Sequence, residues 1–427
     1  MPDSKPVKQR SLMFAPRIRG KTVYLLGAGF SAGTGVPTLS KFIPEGLDLI
    51  KSAAYKDPKN PNSHLVHLVQ QVESVLHDYL PAAEFLPDRL TNLEDLFCLV
   101  DLRKQYQKDS ERQVTPQQQE TILKEFVVCV LEESWSRHQM EWEKHAKGES
   151  NANPPPVVPH RHWLGQSGSA QLRRDRSYNT CAYQAFLSQV LHDNRYLCAI
   201  DEDDSLKYAN VIVTLNYDLV IERKLQAIAH SAIYFGELSK ERLKWWENDE
   251  TKGVSAPLVQ WKIPKGKVVL PLIKIHGSIN WQVADDQDAA SPDSVAVLWH
   301  PAFHGPSRST DEISKIPIIP PTWRKTASTN TVFAKLLGEA LWHMKLASRI
   351  VIVGYSMPTT DSYFRYLLAE ALGTPTLPTI EVWDMVEVDE MKRRIQTTLG
   401  GRIAAITKVS NARFIGLVQS RSAESAI

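Results

Sequence analysis

Three residues have the types and positions to act on a substrate. They are Asn216 and Asp218, two apart in TLNYD, and His276 at the head of HGS. An asparagine amide has no accessible pKa and cannot serve as a base. It can instead hold a water and hydrogen-bond a hydroxyl, which makes attack on a bound centre effectively unimolecular. Histidine ordinarily titrates near neutral pH and can accept the proton such an attack releases. A second set of residues suits a phosphate. Gly27, Gly29 and Ala32 in KTVYLLGAGFSAGTGVP (Lys21–Pro37) fit G-x-G-x-x-G/A, where small residues allow a tight turn and N–H groups face a pyrophosphate at a helix N-terminus. A ligand-free turn is the alternative for the glycines, a strand-end or capping role for His276 and Asn216. Joint placement favours chemistry, because independent turns have no reason to supply a base and an amide at neighbouring strand ends.

Each group follows an apolar, β-prone run. Val23–Leu26 leads to Gly27, Asn210–Leu215 to Asn216, and VVLPLIKI to His276, Gly277 and Ser278. Ile350–Val353 leads to Gly354, Tyr355 and Ser356, and Thr379–Trp383 to Asp384. Continuous apolar runs are the mark of strands buried on both faces of a parallel sheet, whose carboxyl ends bind ligands. With helices between them, the expectation is an α/β fold: a doubly wound, Rossmann-like parallel sheet. A large, mainly helical insertion interrupts it. Leu65, Leu68, Val69, Val72, Val75, Leu76 and Tyr79 recur at helical spacing, as do Leu93, Leu96, Leu99, Val100 and Tyr106. Thr115, with Pro116 at the first helical position and Gln118 completing a capping box, starts a third helix. Further helices are expected over Tyr178–Leu191 and Asn330–Ala347. The Pro- and Asn-rich stretch from 148 to 176, with Arg161, Arg173, Arg174, Arg176 and Trp163, reads as a solvated loop in preference to a nucleic-acid patch.

Composition narrows the class. The 427 residues are 43% hydrophobic, enough to bury a full core. With 50 Lys and Arg against 48 Asp and Glu, no global field points to nucleic acid or an anionic membrane. No run of 18 apolar residues spans a bilayer, and no signal peptide is visible, so a cytoplasmic protein is expected. Cys98, Cys129, Cys181 and Cys198 are dispersed, which argues against a disulfide framework or a zinc ribbon.

A dinucleotide dehydrogenase would extend its first helix and place an acidic residue after a second strand about 20 residues on. Here Gly33, Gly35 and Pro37 break the helix, and Glu45 and Asp48 lie in a helical stretch. The ordered set GAGFSAGTGVP, TLNYD, IKIHGS and VGYSMP resembles instead the sirtuin family's GAG-x-S-x-x-x-G-x-P, T-x-N-x-D, H-G-S and G-x-S motifs. Two departures matter. The family's deacylases carry a four-cysteine zinc module, absent in this spacing, and Phe-Arg after G-x-P, where this chain has Thr38-Leu39-Ser40-Lys41-Phe42. The chain therefore resembles the bacterial defence-associated sirtuin branch, whose members hydrolyse NAD.

The resemblance implies a division into a flexible basic arm (1–20), a sirtuin-like NAD-binding catalytic domain (21–50 and 205–415), a helical insertion domain (51–204) and a tail (416–427). It implies NAD as substrate, no metal, and NAD+ glycohydrolase activity yielding nicotinamide and ADP-ribose, as an effector of anti-phage defence by NAD depletion. Asn216 and His276 would be catalytic, and Asp218 would hold the nicotinamide carboxamide. Gly27, Ala28, Gly29 and Ser31 would cradle the pyrophosphate. Pro37, Gly277, Ser278, Gly354 and Ser356 would complete the binding motifs, with Asp384 near the adenosine. Lys41 and Arg324 are candidates for the missing phosphate-motif arginine. The expected partners are a second copy of the chain and a separately encoded regulator such as a HerA-type ATPase, without direct nucleic-acid binding and without a membrane. A zinc-free deacylase or ADP-ribosyltransferase, or a non-enzymatic NAD-binding subunit, remains open.

Overall fold

The apolar runs assemble into one seven-stranded sheet. Its strands are β1 (Ile18–Leu26), β2 (Val211–Thr214), β3 (Ile233–Tyr234), β4 (Pro271–Lys274), β5 (Ala347–Val353), β6 (Thr379–Asp384) and β7 (Lys408–Asn411), in the order β7-β6-β5-β1-β2-β4-β3. A computed structural model describes residues 16–83, 92–106, 114–146, 157–158, 180–198, 205–227, 233–234, 270–283, 295–297, 313, 316, 318, 331–357, 361–412, 414 and 416–417. Every neighbouring pair is parallel. Val23 pairs with Val211 on one side and Ile350 on the other, which makes β1 the hinge of the topology. From β1 the chain adds β2, places β3 at the edge and fills the gap between them with β4, then returns to β5 and builds the opposite half through β6 and β7. The switch point therefore lies between β1 and β5, where doubly wound sheets open a cleft.

Ten helices of six or more residues surround the sheet among the described residues. They are α1 (Phe42–Ala54), α2 (Ser63–Ala83), α3 (Leu93–Tyr106), α4 (Pro116–Ala146), α5 (Ala182–Cys198), α6 (Val220–Ala227), α7 (Thr331–Leu346), α8 (Ser362–Leu372), α9 (Val388–Leu399) and α10 (Gly401–Ile406). The main apolar core joins the strands to Phe186, Leu225, Ala340, Leu368, Met391 and Ile403 of α5 to α10. A second core gathers Ile50, Val72, Leu96 and Phe126 of α1 to α4 around Tyr217, Leu219 and Ile279. The helical region thus packs directly on the turns that follow β2 and β4. The capping box forms: Gln118 N–H reaches Thr115 Oγ1 at 3.3 Å, and Thr115 N–H reaches Gln118 Oε1 at 2.8 Å. No helix among the described residues is long and apolar enough to cross a membrane.

Three boundaries differ from the sequence expectation. Residues 16–20 are not a free arm: Ile18–Gly20 begin β1, and the Arg17 guanidinium donates to Met344 O (3.0 Å), Ala347 O (2.7 Å) and Thr376 O (2.6 Å). These carbonyls close helix and loop ends, and a lone arginine in a Pro-rich stretch gives no local sign that it will serve them. The tail begins later than 416, because Leu417 is buried in the main core. The helix expected over Tyr178–Leu191 starts at Ala182, since Thr180–Cys181 pair with Val157–Val158 instead. Residues 1–15 and the arginines of the 148–176 stretch lie outside the described residues.

Candidate active site

The site starts from the contact between two turns. After β1, Ala28–Ser31 form one short helical turn that runs into a 3-10 turn, Ala32–Thr34, which ends in a left-handed Gly35 at φ 79°. Gly27 N–H donates to Val353 O (3.0 Å) and Gly29 N–H to Gly354 O (2.9 Å), so the first turn is sewn to the one after β5. An added Cβ at Gly27 would meet Gly354 O at 2.5 Å, and one at Gly354 would meet Phe30 N at 2.2 Å. Glycine is required here because two backbones touch. Two of the amides that the G-x-G-x-x-A reading turned toward a phosphate are thus engaged within the protein.

Asn216 is fixed by the same turn. Thr214 Oγ1 donates to Leu26 O (3.2 Å) and accepts the Asn216 N–H (3.1 Å), turning the chain just past β2. The Asn216 side-chain amide spends both N–H bonds, on Gly27 O (2.9 Å) and on Ser31 Oγ (3.0 Å), which leaves Oδ1 as an acceptor. The Ser31 hydroxyl in turn donates a hydrogen bond to the Asp218 carboxylate. Asp218 also accepts the Val220 N–H (3.0 Å) at the start of α6. Burial raises its carboxyl above the ordinary aspartate range, while the Lys274 ammonium and these two donors draw it back.

Lys274, the last residue of β4, braces this turn. Its fully buried ammonium donates to Tyr217 O (3.4 Å), Asp218 O and Glu222 Oε1 (2.9 Å). Two residues on, His276 lies buried beside Tyr217, ring centroids 6.1 Å apart. Gly277, at φ 86°, reverses the chain after it, and Ile279 N–H returns to Tyr217 O (3.1 Å). Ser278 donates to Asn280 Oδ1 (2.6 Å) and so serves the turn. The Asn216 and His276 turns are therefore one braced unit.

These turns open onto a cavity of about 1050 Å³ at the carboxyl edge of the sheet. Ala28, Gly29, Pro37, Asn216, Asp218, His276, Gly354, Ser356 and Asp384 all line it. Gly27, Ser31, Gly277 and Ser278 stand behind that wall, shaping the turns. Lys41 is not on the wall; its ammonium is exposed and 3.8 Å from Glu45. Arg324 lies outside the described residues.

Several lining groups escaped the sequence reading. Glu94 reaches the cavity from the helical region, next to Tyr355 and Asp361. Tyr355 donates its hydroxyl to Asp361 Oδ2 (3.1 Å), and burial with that carboxylate's charge pushes the phenol well above its usual range. His138 of α4 also faces the cavity, held down to about 4 by burial and by the nearby Lys224 ammonium. Arg393, Arg394 and Glu390 arrive on α9. The signals available in sequence were a lysine closing an apolar strand and the Lys-Arg-Arg run after Asp384.

Neither a protein-family model nor a curated protein matches the chain. Solved structures of Sir2 are similar to it. One is Sir2 in complex with the inhibitor EX-527, 2′-O-acetyl-ADP-ribose and a deacetylated p53 peptide, at 12% identity and a TM-score of 0.33. Others are Sir2 bound to an acetylated peptide (9%, 0.34) and Sir2Tm bound to a propionylated peptide (10%, 0.32). Each covers 95% of this chain and 94% of its own. At these TM-scores the likeness carries no residue role across.

Proposed function

We propose that the chain is an NAD+ glycohydrolase. The reading rests on one observation: Asn216, Asp218 and His276 meet on one cavity wall, beside the seam of two glycine turns at the switch point of a parallel sheet. Ligand sites run from about 300 to 1,000 Å³, so this cavity has room for a dinucleotide.

In the proposed reaction the water oxygen bonds to ribose C1′ while the C1′–N bond breaks and its electron pair leaves with nicotinamide. Asn216, its N–H bonds already spent, offers Oδ1 to the water and so aims it. His276 takes the proton the water loses. Asp218, keyed by Ser31 and Val220, holds the carboxamide. Asp218 and His276 are buried and Asn216 is half-buried, which limits competing water and strengthens each contact.

Incubation of the purified full-length chain with NAD, with products read by chromatography, tests the proposal. Free nicotinamide and ADP-ribose are expected. Asn216→Ala and His276→Ala should each lower turnover by about 100-fold, the usual scale for removing a positioned catalytic group. Acylated ADP-ribose or labelled protein would favour a deacylase or transferase instead, and binding without turnover a non-enzymatic subunit. The motif resemblance further supports a cytoplasmic homo-oligomer that depletes NAD in anti-phage defence under a separately encoded regulator such as a HerA-type ATPase. Light scattering paired with NAD assays, with and without such a partner, tests that setting.

A further inference from the structure

A dinucleotide carries a diphosphate, and the turn expected to meet it has already spent the Gly27 and Gly29 N–H groups on β5 and its turn. The remaining charge must come from side chains. Among the described residues lining the cavity, Arg393 and Arg394 are the only arginines or lysines. They are not equivalent. The Arg393 side chain is 69% exposed, whereas that of Arg394 is 33% exposed and held at two points. Its Nε donates to Glu390 Oε1 (2.7 Å) and its Nη1 to Ser356 O (3.0 Å). Ser356 lies two residues past Gly354, so the guanidinium is tied to the very turn that is sewn to the Gly29 turn. Its Nη2 has no hydrogen-bond partner among the described residues.

We propose that Arg394 is the diphosphate-binding cation of this cavity, held by Glu390 and Ser356 so that a fixed donor faces the anion. The inference rests on the dinucleotide reading above. Glu390 is shared by two arginines, so this trio keeps one surplus positive charge. Asp384 also feels Arg394, and its carboxyl accepts the Val386 N–H (2.9 Å). A carboxylate in that place suits ribose hydroxyls, with the arginine beside it for the phosphates. Glu94, Asp218 and Asp361 also line the cavity, and carboxylates there suit the cationic nicotinamide ring. A guanidinium already held in its binding geometry loses little entropy when the anion arrives.

Titration calorimetry of the full chain with NAD, ADP-ribose and nicotinamide tests this. Arg394→Gln should weaken NAD and ADP-ribose by about 10- to 100-fold, the scale of a lost charge-assisted hydrogen bond. Nicotinamide, lacking phosphate, should bind as before, and Lys41→Gln should change nothing. Arg394→Lys keeps the charge but cannot span Glu390, Ser356 and the anion at once. It should lose about 3- to 10-fold, and it decides the matter if the glutamine variant fails to fold. Wild-type binding of NAD with unchanged ADP-ribose affinity in the Arg394 variants would overturn the inference and leave the dinucleotide reading standing. A wild-type chain that binds neither ligand would overturn both.

Discussion

Gly354→Ala puts a methyl group where two backbones already touch. At φ 63° the residue is left-handed, which costs a side-chain-bearing residue about 1–2 kcal/mol. The added Cβ would also meet Phe30 N at 2.2 Å, Gly29 C at 2.4 Å and Gly29 Cα at 2.6 Å. All three are backbone atoms tied into the seam, so they cannot swing aside as a side-chain tip would, and overpacking adds about 1–3 kcal/mol. The expected loss is about 2–5 kcal/mol in total. Gly35→Ala is the control. Its φ is 79°, but nothing lies within 4 Å of the added Cβ, so only the conformational cost of about 1–2 kcal/mol applies. Denaturant unfolding of the two variants, compared at equal slope, isolates the seam contact as their difference. NAD turnover should fall with Gly354→Ala and survive Gly35→Ala. Equal destabilisation by the two would refute the claim that the β1 and β5 turns require glycine because they touch.

Lys274→Met takes the ammonium from buried Glu222 and should cost about 3–5 kcal/mol, much of it regained by adding Glu222→Leu. Turnover should stay low in the double variant, because the Tyr217 and Asp218 carbonyls still lack their brace; a fully active double variant would assign Lys274 to stability alone. For pH, His138 stays neutral in the folded chain down to about 4, whereas the unfolded chain protonates near 6.5. The unfolded state therefore binds more protons between these values, so this contribution is whole above 6.5 and is lost as pH falls toward 4. Thermal midpoints measured across that window should decline less steeply in His138→Gln, and identical slopes would show that His138 is not the titrating group.

Much of the scaffold could be read locally. An apolar run buried on both faces leaves the same trace wherever its strand sits, so VYLL, VIVT, PLIK, IVIV and IEVW marked five of the seven sheet strands. Polar residues at their ends pointed to one edge, and Asn216, Asp218, His276 and Asp384 do line one cavity there. The Thr115–Gln118 box and the break of the first helix at Gly33 and Gly35 were equally legible, since caps and left-handed glycines act within a few residues.

What the sequence could not carry was the order of the strands, and with it the reason for individual residues. Gly27 and Gly354 look like two independent turn glycines until β1 and β5 lie side by side, and then each is required by the other. Lys274 interrupts an apolar run for no local reason; its partners, Glu222 and the carbonyls of Tyr217 and Asp218, reach it only because β2 and β4 are neighbours. Arg17, Glu94 and Arg394 are ordinary charged residues in the chain, and folding takes the first to two helix ends and the other two to the wall of one cavity. Periodicity and turn chemistry report interactions along the chain, whereas these roles depend on hydrogen bonds and charges between segments that only the sheet topology brings within reach.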